Sequence, residues 1–313
     1  MEENKSIRIK ISALGSYLPE KIVTNEQLSK TVETSDEWIV SHTGIKERRY
    51  ASDSQKASDL AIKAINNMNI KLNEVDAIIV ATATPDYRGF PSTACVISEK
   101  MHLKNVNIAF DITAGCTGFI YALENARALI YAGSAKKVLV VASEILSRVV
   151  DFEDRNTCVL FADGAGCALL EAGGRVFNSI LGVEKSGAEK LYIDENSHIK
   201  MEGRAVYNFA VKRIVETIIK LVEKNNIEIG DIDYIVSHQA NIRILKAAAK
   251  RLNVDESLFF SNVDKVANTS AASIPIALDS LNKREQIKEG ANIILVGFGA
   301  GLTYGGTFFK WTK

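Results

Sequence analysis

The sequence predicts an α/β fold built from two similar halves. Short apolar runs of strand length, such as Ala77–Ala81, alternate with longer segments in which apolar residues recur at helical spacing. A continuous apolar run is typical of a strand covered by helices on both faces. Ile293–Val296 also stands 155 residues after Val138–Val141, and Ala277–Leu278 stands 155 residues after Ala122–Leu123. We therefore expect a duplicated unit, although simple α/β alternation without duplication remains open.

The elements follow from periodicity in chain order. In the first half, one helical stripe and four strands share a strongly apolar pattern: Leu60, Ala61, Ala64 and Ile65 for the helix, then Ala77–Ala81, Asn107–Asp111, Val138–Ala142 and Ala165–Leu170 for the strands. A second helix is predicted from about Cys116 to Ala132. The second half repeats this order with a helical stripe and two strands: Val211, Ile214, Val215, Ile218 and Val222, then Ile232–Val236 and Ile293–Val296. The glycine-rich tract Gly173–Gly187 is typical of a junction, so we expect halves at 1–171 and 172–313.

Composition excludes several classes of protein. Lys plus Arg and Asp plus Glu each number 38 in 313 residues, so the formal net charge is zero and a nucleic-acid partner is not expected. The N-terminal residues lack the apolar segment of a signal peptide. No apolar run approaches the ~18 residues of a membrane span. We expect a cytoplasmic protein with no membrane partner.

The cysteines are Cys95, Cys116, Cys158 and Cys167. They form no CxxC pair and no His–Cys cluster with zinc spacing, so we expect reduced, mostly buried thiols and no metal site. Three of them lie in apolar patterns typical of structural cysteines. Cys116 differs, because it stands in a small-residue turn between a strand and a helix.

Cys116 is the candidate nucleophile. Helix N-termini carry partial positive charge and free N–H groups, and both favour a thiolate. Gly115 and Gly118 beside it permit close approach of a substrate to the backbone. From spacing alone, a small buried residue in tight strand–helix packing is an equally good interpretation.

Two other positions could cooperate with a cysteine nucleophile. His238 ends the predicted strand Ile232–Ser237, and strand ends line the crevice where α/β proteins bind ligands. Asn268 precedes a helix, which Thr269 or Ser270 could cap. A structural histidine and a capping asparagine remain open at this point. The glycine-rich segment Gly297–Gly301 follows the last long strand, and its amides could form an oxyanion site.

Together these segments resemble the β-ketoacyl-acyl carrier protein synthase III family, which comprises condensing enzymes of the thiolase superfamily. The resemblance extends from about Ile7 to the C-terminus. It is carried by eight segments in order: Gly15–Glu20, Thr34–Ile39, Thr43–Ile45, Phe90–Ser92, Phe161–Gly166, His238–Arg243, Asn268–Ser273 and Leu302–Gly305. Each segment alone is modest evidence for the resemblance, whereas all eight segments in this order are highly specific to the family.

The resemblance implies a thiolase-like fold of two halves stacked as αβαβα layers. It implies a catalytic set of Cys116, His238 and Asn268, and we expect the backbone N–H groups of Cys116 and Ala300 to hold an oxyanion. The implied reaction is condensation of a short acyl-CoA, with acetyl-CoA expected, with malonyl-acyl carrier protein. It would start fatty acid biosynthesis through an acyl-cysteine and would need no cofactor.

Binding residues also follow from the resemblance. Coenzyme A contacts fall on Trp38, Arg155 and Asn241. The family implies a homodimer in which a phenylalanine reaches the other subunit's acyl tunnel, and Phe90 matches it. Arg243 matches a contact to the acyl carrier protein.

The sequence departs from a well-known bacterial form of the family at three places. His42 replaces an arginine near the nucleotide, and Arg204 replaces a common asparagine near the pantetheine. The stretch 184–200 is shorter. These departures put the details of coenzyme A recognition and the acyl-chain preference in doubt, and none of them touches the catalytic set.

A basic helix face is predicted directly after His238. Arg243, Lys246 and Lys250 recur at helical spacing, Arg251 lies beside them, and a separate apolar stripe runs along the same helix. An ordinary solvated face is the simpler interpretation. The position next to the catalytic loop favours docking of an acidic carrier protein.

Three alternative functions remain open from sequence. One is a related acyltransferase or condensing enzyme of secondary metabolism with another starter or acceptor. Another is a cysteine hydrolase, since Cys–His–Asn also serves acyl-enzyme hydrolysis. The third is a degenerate condensing fold that only binds acyl-CoA or carrier protein, against which the presence of all three catalytic residues argues.

Overall fold

The protein contains two five-stranded mixed sheets. The structure is a computed structural model that describes residues 8–285 and 287–312. The N-terminal segment that bears on a signal peptide lies mostly in residues 1–7, outside the described residues. Two further two-stranded sheets flank the larger ones.

The elements up to Ala172 form the first sheet and its helices. The strands are β1 (Ile9–Tyr17), β2 (Lys21–Thr24), β3 (Glu47–Tyr50), β4 (Ala77–Ala81), β5 (Ile108–Ile112), β6 (Lys137–Ile145) and β7 (Asp163–Ala172). The helices are α1 (Asn25–Leu28), α2 (Asp36–Thr43), α3 (Ala57–Asn66), α4 (Thr93–Lys100), α5 (Gly118–Tyr131) and α6 (Arg155–Cys158).

The elements after Ala172 form the second sheet and its helices. The strands are β8 (Phe177–Val183), β9 (Leu191–Ile193), β10 (Ile199–Met201), β11 (Tyr234–Ser237), β12 (Phe259–Phe260), β13 (Asn292–Gly299) and β14 (Thr303–Lys310). The helices are α7 (Gly203–Lys224), α8 (Ile242–Leu252), α9 (Val263–Val266) and α10 (Ser273–Glu285).

The two large sheets have the same topology, which confirms the duplication. Their strand orders are β1-β7-β6-β4-β5 and β8-β14-β13-β11-β12. In each sheet four strands run in one direction, and the second strand from one edge, β7 or β14, is antiparallel to both of its neighbours. The repeat offset in the sequence therefore reflects equivalent strands, with β6 matching β13.

Helices α5 and α10 lie between the two sheets and form the centre of the core. Leu123 on α5 and Leu278 on α10 are fully buried in one apolar cluster that includes side chains from both sheets. Helices α3 and α4 cover the outer face of the first sheet, and α7 and α8 cover that of the second. The layers are therefore αβαβα, as the resemblance implies.

Each central helix begins after a single 3₁₀ turn. These turns are Gly115–Thr117 before α5 and Ser270–Ala272 before α10, and they contact each other between the halves. Their first residues adopt the same left-handed backbone, with φ of +51° at Gly115 and +49° at Ser270. The duplication thus places Cys116 beside its counterpart segment from the second half.

Three local expectations need correction. Cys95 is exposed on α4, because the apolar pattern there belongs to the opposite face of the helix. Neither Thr269 nor Ser270 makes a side-chain cap, since α10 begins only at Ser273. The residues Gly297–Gly299 belong to β13 and pair with β14, so only Ala300 onward is a turn.

Two further observations concern the chain as a whole. No helix among the described ranges is long and apolar enough to cross a membrane. Strand β7 ends at Ala172 and β8 begins at Phe177, and the boundary between halves at 171 and 172 stays a prediction.

The central helices should carry much of the stability. We expect Leu123→Ala and Leu278→Ala each to lower the free energy of unfolding by about 2–5 kcal/mol, because each leaves a cavity in a fully buried layer. Denaturant unfolding measures this. The control Ile219→Ala, at a side chain 43% exposed on α7, should cost clearly less. Equal losses at all three sites would contradict the placement of the core.

Candidate active site

A cavity of about 510 Å³ lies where the carboxyl ends of β5, β11 and β13 meet. Cys116, His238 and Asn268 all contribute to its wall, together with Phe298 and Gly299. The structure therefore brings together the three residues that the sequence singled out. Cys116 comes from the first half and the other two come from the second, so both halves build the site.

The Cys116 turn is held against the end of β13. A Cβ atom on Gly299 would lie 2.7 Å from the backbone nitrogen of Cys116, so only glycine permits this approach. On the other side, a Cβ on Gly115 would lie 3.1 Å from the Ala300 nitrogen. Both nitrogens belong to the first turn of a helix, where N–H groups have no intrahelical acceptor. The arrangement can supply two neighbouring N–H donors.

The Cys116 thiol is buried, and burial raises its pKa to about 12. The nearby Glu144 carboxylate also raises it, and contact with the Ser270 hydroxyl lowers it in part. Loss of hydration therefore outweighs the helix-end effect that led us to expect a thiolate. The resting group is a neutral thiol.

His238 is fixed from two sides. Its backbone N–H donates to the carbonyl of Val296 at 2.8 Å, and its Nδ1 lies 2.6 Å from Oγ of Ser273. The N–H of Gln239 also donates to the same Oγ at 3.3 Å. Both side chains of the pair are buried, so this contact sets the orientation of the imidazole ring.

The Ser273 hydroxyl determines which ring nitrogen of His238 carries the proton. If Nδ1–H donated to Oγ, that oxygen would receive two donors, and its own buried proton would have no acceptor among the described residues. An unpaired buried hydroxyl is costly. We therefore assign Ser273 as the donor to Nδ1, with the ring proton on Nε2.

The imidazole is neutral. Burial lowers the pKa of His238 to about 3, and the edge of the Phe298 ring, with centroids 5.0 Å apart, adds to the apolar surroundings. A neutral ring with its proton on Nε2 offers an N–H donor on the side away from Ser273. It is not a base for the neighbouring thiol in this form.

Asn268 is also oriented as a donor. Its Oδ1 accepts the N–H of Ser270 at 2.9 Å, and its backbone is held by Leu160 and Ala162 at 3.0 and 2.9 Å. The first contact resembles the capping bond that the sequence left open. Because the amide oxygen is occupied, the NH₂ group is the free end of a side chain that lines the cavity. The site thus presents two side-chain N–H donors.

A second, smaller cavity of about 70 Å³ adjoins Cys116. Its wall is almost entirely apolar and is formed mainly by Leu146, Phe161, Leu191, Ile193 and Ile199. Phe90, which was expected at an acyl tunnel, is not part of this wall. It is 93% exposed on the surface of the chain.

The outer end of the large cavity carries aromatic and basic side chains. The Arg155 guanidinium lies over the Trp38 ring at 5.0 Å, and the His42 ring stacks on Trp38 at 4.3 Å. Arg204 also lines the cavity, so the two substituted positions, His42 and Arg204, both lie at its wall. The amide of Asn241 donates to the His42 carbonyl and accepts the N–H of Arg243.

Helix α8 presents the predicted basic face. Arg243, Lys246, Lys250 and Arg251 are exposed, and the opposite side of the helix is buried. Lys246 forms an exposed ion pair with Glu256 at 3.5 Å. Arg243 also lines the cavity, so the basic face begins at the site itself.

Sequence reasoning missed three residues beside the catalytic set. Ser273 and Ser270 lie within the segment Asn268–Ser273 that carried the resemblance, but Ser273 was given no role and Ser270 was considered only as a helix cap. Glu144 lies two residues after the apolar run Val138–Ala142, and a charged residue at the end of a buried strand was an available signal. In the described ranges, no group of three or more His, Cys, Asp or Glu side chains is arranged to hold a metal ion.

Comparison with known proteins identifies the relatives of this chain. Two family models match: 3-oxoacyl-[acyl-carrier-protein] synthase III over residues 110–186 and its C-terminal part over residues 222–311. The curated β-ketoacyl-[acyl-carrier-protein] synthase III of Clostridium acetobutylicum is 48% identical over 97% of this chain and 99% of the relative.

Solved structures agree with these matches. The crystal structure of 3-oxoacyl-[acyl-carrier-protein] synthase III from Aquifex aeolicus superposes with a TM-score of 0.92 at 42% identity, covering 97% of this chain and all of that one. The corresponding synthase from Thermus thermophilus gives the same TM-score and identity, covering 96% and 99%.

The assigned tautomer can be observed directly. In protein labelled with ¹⁵N-histidine, we expect His238 to show a protonated Nε2 and an unprotonated Nδ1, and to stay neutral as the pH falls towards about 3. Ser273→Ala should produce a mixture of tautomers, because Nδ1 loses its donor. The control Ser143→Ala removes a buried hydroxyl that bonds only to Ala57, and it should leave the tautomer of His238 unchanged. A protonated Nδ1 in the parent protein would refute the assignment.

Proposed function

This chain belongs to the 3-oxoacyl-[acyl-carrier-protein] synthase III family, and we propose that it condenses a short acyl-CoA with malonyl-acyl carrier protein to initiate fatty acid synthesis. It is an acyltransferase of thiolase-like fold. One observation carries the proposal. Buried Cys116 shares the large cavity with the side-chain N–H donors of His238 and Asn268, and it lies between the small apolar pocket and the basic end of the large cavity. The alternative in secondary metabolism is not favoured, because the curated relatives at 43–48% identity bear the synthase III name.

The first step is acylation of Cys116. Its sulfur attacks the thioester carbonyl of acyl-CoA, and the backbone N–H groups of Cys116 and Ala300 stabilise the oxyanion. Loss of one such donor costs about 3 kcal/mol. The pocket of about 70 Å³ is small and almost entirely apolar, which suits a short acyl group such as acetyl.

The second step is decarboxylative condensation. Malonyl-acyl carrier protein loses CO₂, and the developing enolate oxygen accepts hydrogen bonds from Nε2–H of His238 and the Asn268 amide. The enolate carbon then attacks the acyl-cysteine. We propose that no cofactor is needed, because thioester chemistry and CO₂ loss supply the driving force.

Coenzyme A occupies the large cavity in this proposal. The Trp38 ring, the Arg155 guanidinium and the Asn241 amide contact it. His42 adds a ring near the nucleotide, and Arg204 adds a positive charge near the pantetheine. The contact of Arg155 with Trp38 supports an adenine site there, since both groups stack on planar rings.

We also propose a homodimer. Phe90 is almost fully exposed, and β5 is an edge strand of the first sheet with half-buried residues. An exposed aromatic side chain and an open strand edge both favour association. Phe90 then completes the acyl pocket of the other subunit.

Two further parts of the proposal concern the compartment in which the protein acts and the cooperation of its two halves. All four cysteines are free, as is usual for cytoplasmic proteins, and we place the reaction in the cytoplasm. The halves 1–171 and 172–313 are one catalytic unit, because the proposed site takes residues from both.

Two variants test the assignment of steps. Cys116→Ser should form no acyl-enzyme on incubation with acetyl-CoA, whereas Asn268→Ala should acylate normally and lose about 10²–10³-fold in malonyl decarboxylation, the usual effect of removing one such donor. Mass spectrometry of residue 116 and CO₂ release measure the two steps.

A conservative control and a substrate panel sharpen this test. Cys158→Ser, a buried thiol outside both cavities, should leave acylation in place. Acyl-CoAs of increasing chain length should acylate Cys116 progressively more slowly. Acylation of Cys116→Ser at the parent rate would refute the nucleophile.

The basic face of α8 makes a separate prediction. Lys250→Glu should weaken the use of malonyl-acyl carrier protein by raising its KM several-fold, with acylation by acyl-CoA unchanged, because Lys250 lies outside the cavity. Arg243→Glu should affect both steps, since Arg243 also lines the cavity. Lys212→Glu on α7 serves as the charge-matched control. Equal effects of Lys250→Glu and Lys212→Glu would argue against docking at α8.

A further inference from the structure

Glu144 is a fully buried carboxyl group directly behind Cys116. It is the penultimate residue of β6, and one carboxyl oxygen, Oε2, accepts the N–H of Ala83 at 3.0 Å and the hydroxyl of Thr84 at 3.0 Å. Oε2 also lies 3.4 Å from the hydroxyl of Thr82. The other oxygen, Oε1, is buried and makes no hydrogen bond of ordinary geometry with any described residue. A fully buried carboxyl group without an ion-pair partner is unusual in a protein interior.

Ser270 lies between this carboxyl group and the thiol. Its turn packs against the end of β6 and against the turn that holds Cys116, and its hydroxyl is near enough to the Cys116 thiol and the Glu144 carboxyl group to lower the pKa of each. Ser270 also lines the small cavity beside Cys116. The three side chains are therefore neighbours, with Ser270 between the sulfur and Glu144.

The backbone at Ser270 supports a role for its side chain. Its φ of +49° is a left-handed conformation that favours glycine, and the equivalent position in the first half is Gly115 at +51°. At this position the second half has a serine side chain, whereas the first half has a glycine. The retained hydroxyl is the group that reaches Cys116 and Glu144.

No other group in the site is placed to take the thiol proton. Nε2 of His238 already carries a proton, and the free end of the Asn268 side chain is a donor. The groups that act on Glu144 come from Ala83 and Thr84 after β4 and from Ser270 and Ala271 before α10, and none of them titrates. Glu144 in turn raises the pKa of the Cys116 thiol, so the two titratable groups interact.

We propose that Glu144 accepts the Cys116 thiol proton through the Ser270 hydroxyl during acylation and returns it after condensation. The inference rests on the proposed function, because it concerns the acylation step. Glu144 touches no substrate in this scheme and acts through Ser270. It is a proton acceptor that prepares the nucleophile.

The proton transfer balances over the reaction. As the sulfur attacks the thioester, the S–H bond breaks, Ser270 Oγ takes that proton, and the Ser270 proton passes to Glu144. Coenzyme A leaves as a thiolate and takes a proton from water. When condensation releases Cys116 as a thiolate, Glu144 returns its proton along the same path. The net reaction consumes one proton, which is found on free coenzyme A.

The electrostatics suit this exchange. Burial raises the pKa of Glu144 to about 7, so the carboxyl group can change its protonation state near neutral pH. The pKa of the Cys116 thiol lies higher, so the thiolate does not accumulate. Proton transfer therefore accompanies attack on the thioester, as the oxyanion is stabilised by the two backbone N–H groups.

The test is the pH dependence of acylation in a single turnover. The acceptor must be ionised, so the acylation rate of the parent enzyme with acetyl-CoA should fall as pH decreases through about 7. Glu144→Gln should acylate at least about 10²-fold more slowly, the usual effect of losing a general base, and should lack this dependence. Ser270→Ala should behave alike, whereas Glu144→Asp should retain the dependence at a reduced rate. Quenched-flow mass spectrometry of Cys116 gives the rates.

A matched control separates this role from a structural one. Asp163 is another buried carboxyl group with a raised pKa, and it bonds to Ser147 and Ala51 away from both cavities. Asp163→Asn should keep the pH dependence even if the protein is less stable. Circular dichroism shows whether each variant folds, and Ser270→Ala tests the path without changing the buried charge.

The possible results are distinct. Loss of the dependence in both Glu144→Gln and Ser270→Ala, with its retention in Asp163→Asn, supports the path. An unchanged pH profile in either of the first two variants overturns it while leaving the proposed function intact. Absence of any acyl-Cys116 in the parent enzyme overturns both proposals.

Discussion

The contact between Gly299 and Cys116 is the constraint on which the site depends. Because a Cβ on Gly299 would lie 2.7 Å from the Cys116 nitrogen, the end of β13 in one half can lie directly on the turn that begins α5 in the other. This approach closes the floor of the cavity and puts Ala300 beside Gly115. It also aligns the turn before α5 with the matching turn before α10. The duplication therefore creates one site from two halves.

Exclusion of water sets the protonation of every group in that site. Burial raises the pKa of the Cys116 thiol and of the Glu144 carboxyl, and it lowers that of the His238 imidazole. All three shifts favour the neutral form, as desolvation requires. Two serine hydroxyls then determine where protons lie in the site. Ser273 fixes the proton of His238 on Nε2, and in our proposal Ser270 passes a proton from the Cys116 thiol to the Glu144 carboxyl group. The proposed chemistry rests on hydrogen bonds in a dry cavity and on one carboxyl group that changes its protonation state near neutral pH.

Much of the fold and of the catalytic set was accessible from sequence, for local reasons. Apolar runs such as Ala77–Ala81 identify buried strands because such strands are covered on both faces, and the repeat offset identifies equivalent strands. Cys116, His238 and Asn268 stand at strand ends or helix starts, and the resemblance assigned their roles. The expected thiolate was wrong, because a helix end is visible in sequence and the depth of burial is not. Exposure of Cys95 was missed for a similar reason, since helix α4 turns that residue away from its apolar face.

The sequence by itself determined the duplicated α/β architecture and the family, and it singled out Cys116 as the candidate nucleophile, because these depend on periodicity and on motifs that are local in the chain. The tertiary structure decided the partners of those residues: Ser273 for His238, Gly299 for Cys116, and Glu144 for Ser270. These pairs are separated by 35, 183 and 126 residues along the chain. The first pair meets when the second half folds, and the other two meet only when the two halves pack. Contacts of this kind, and the burial that shifts each pKa, arise from packing and have no signature in local sequence.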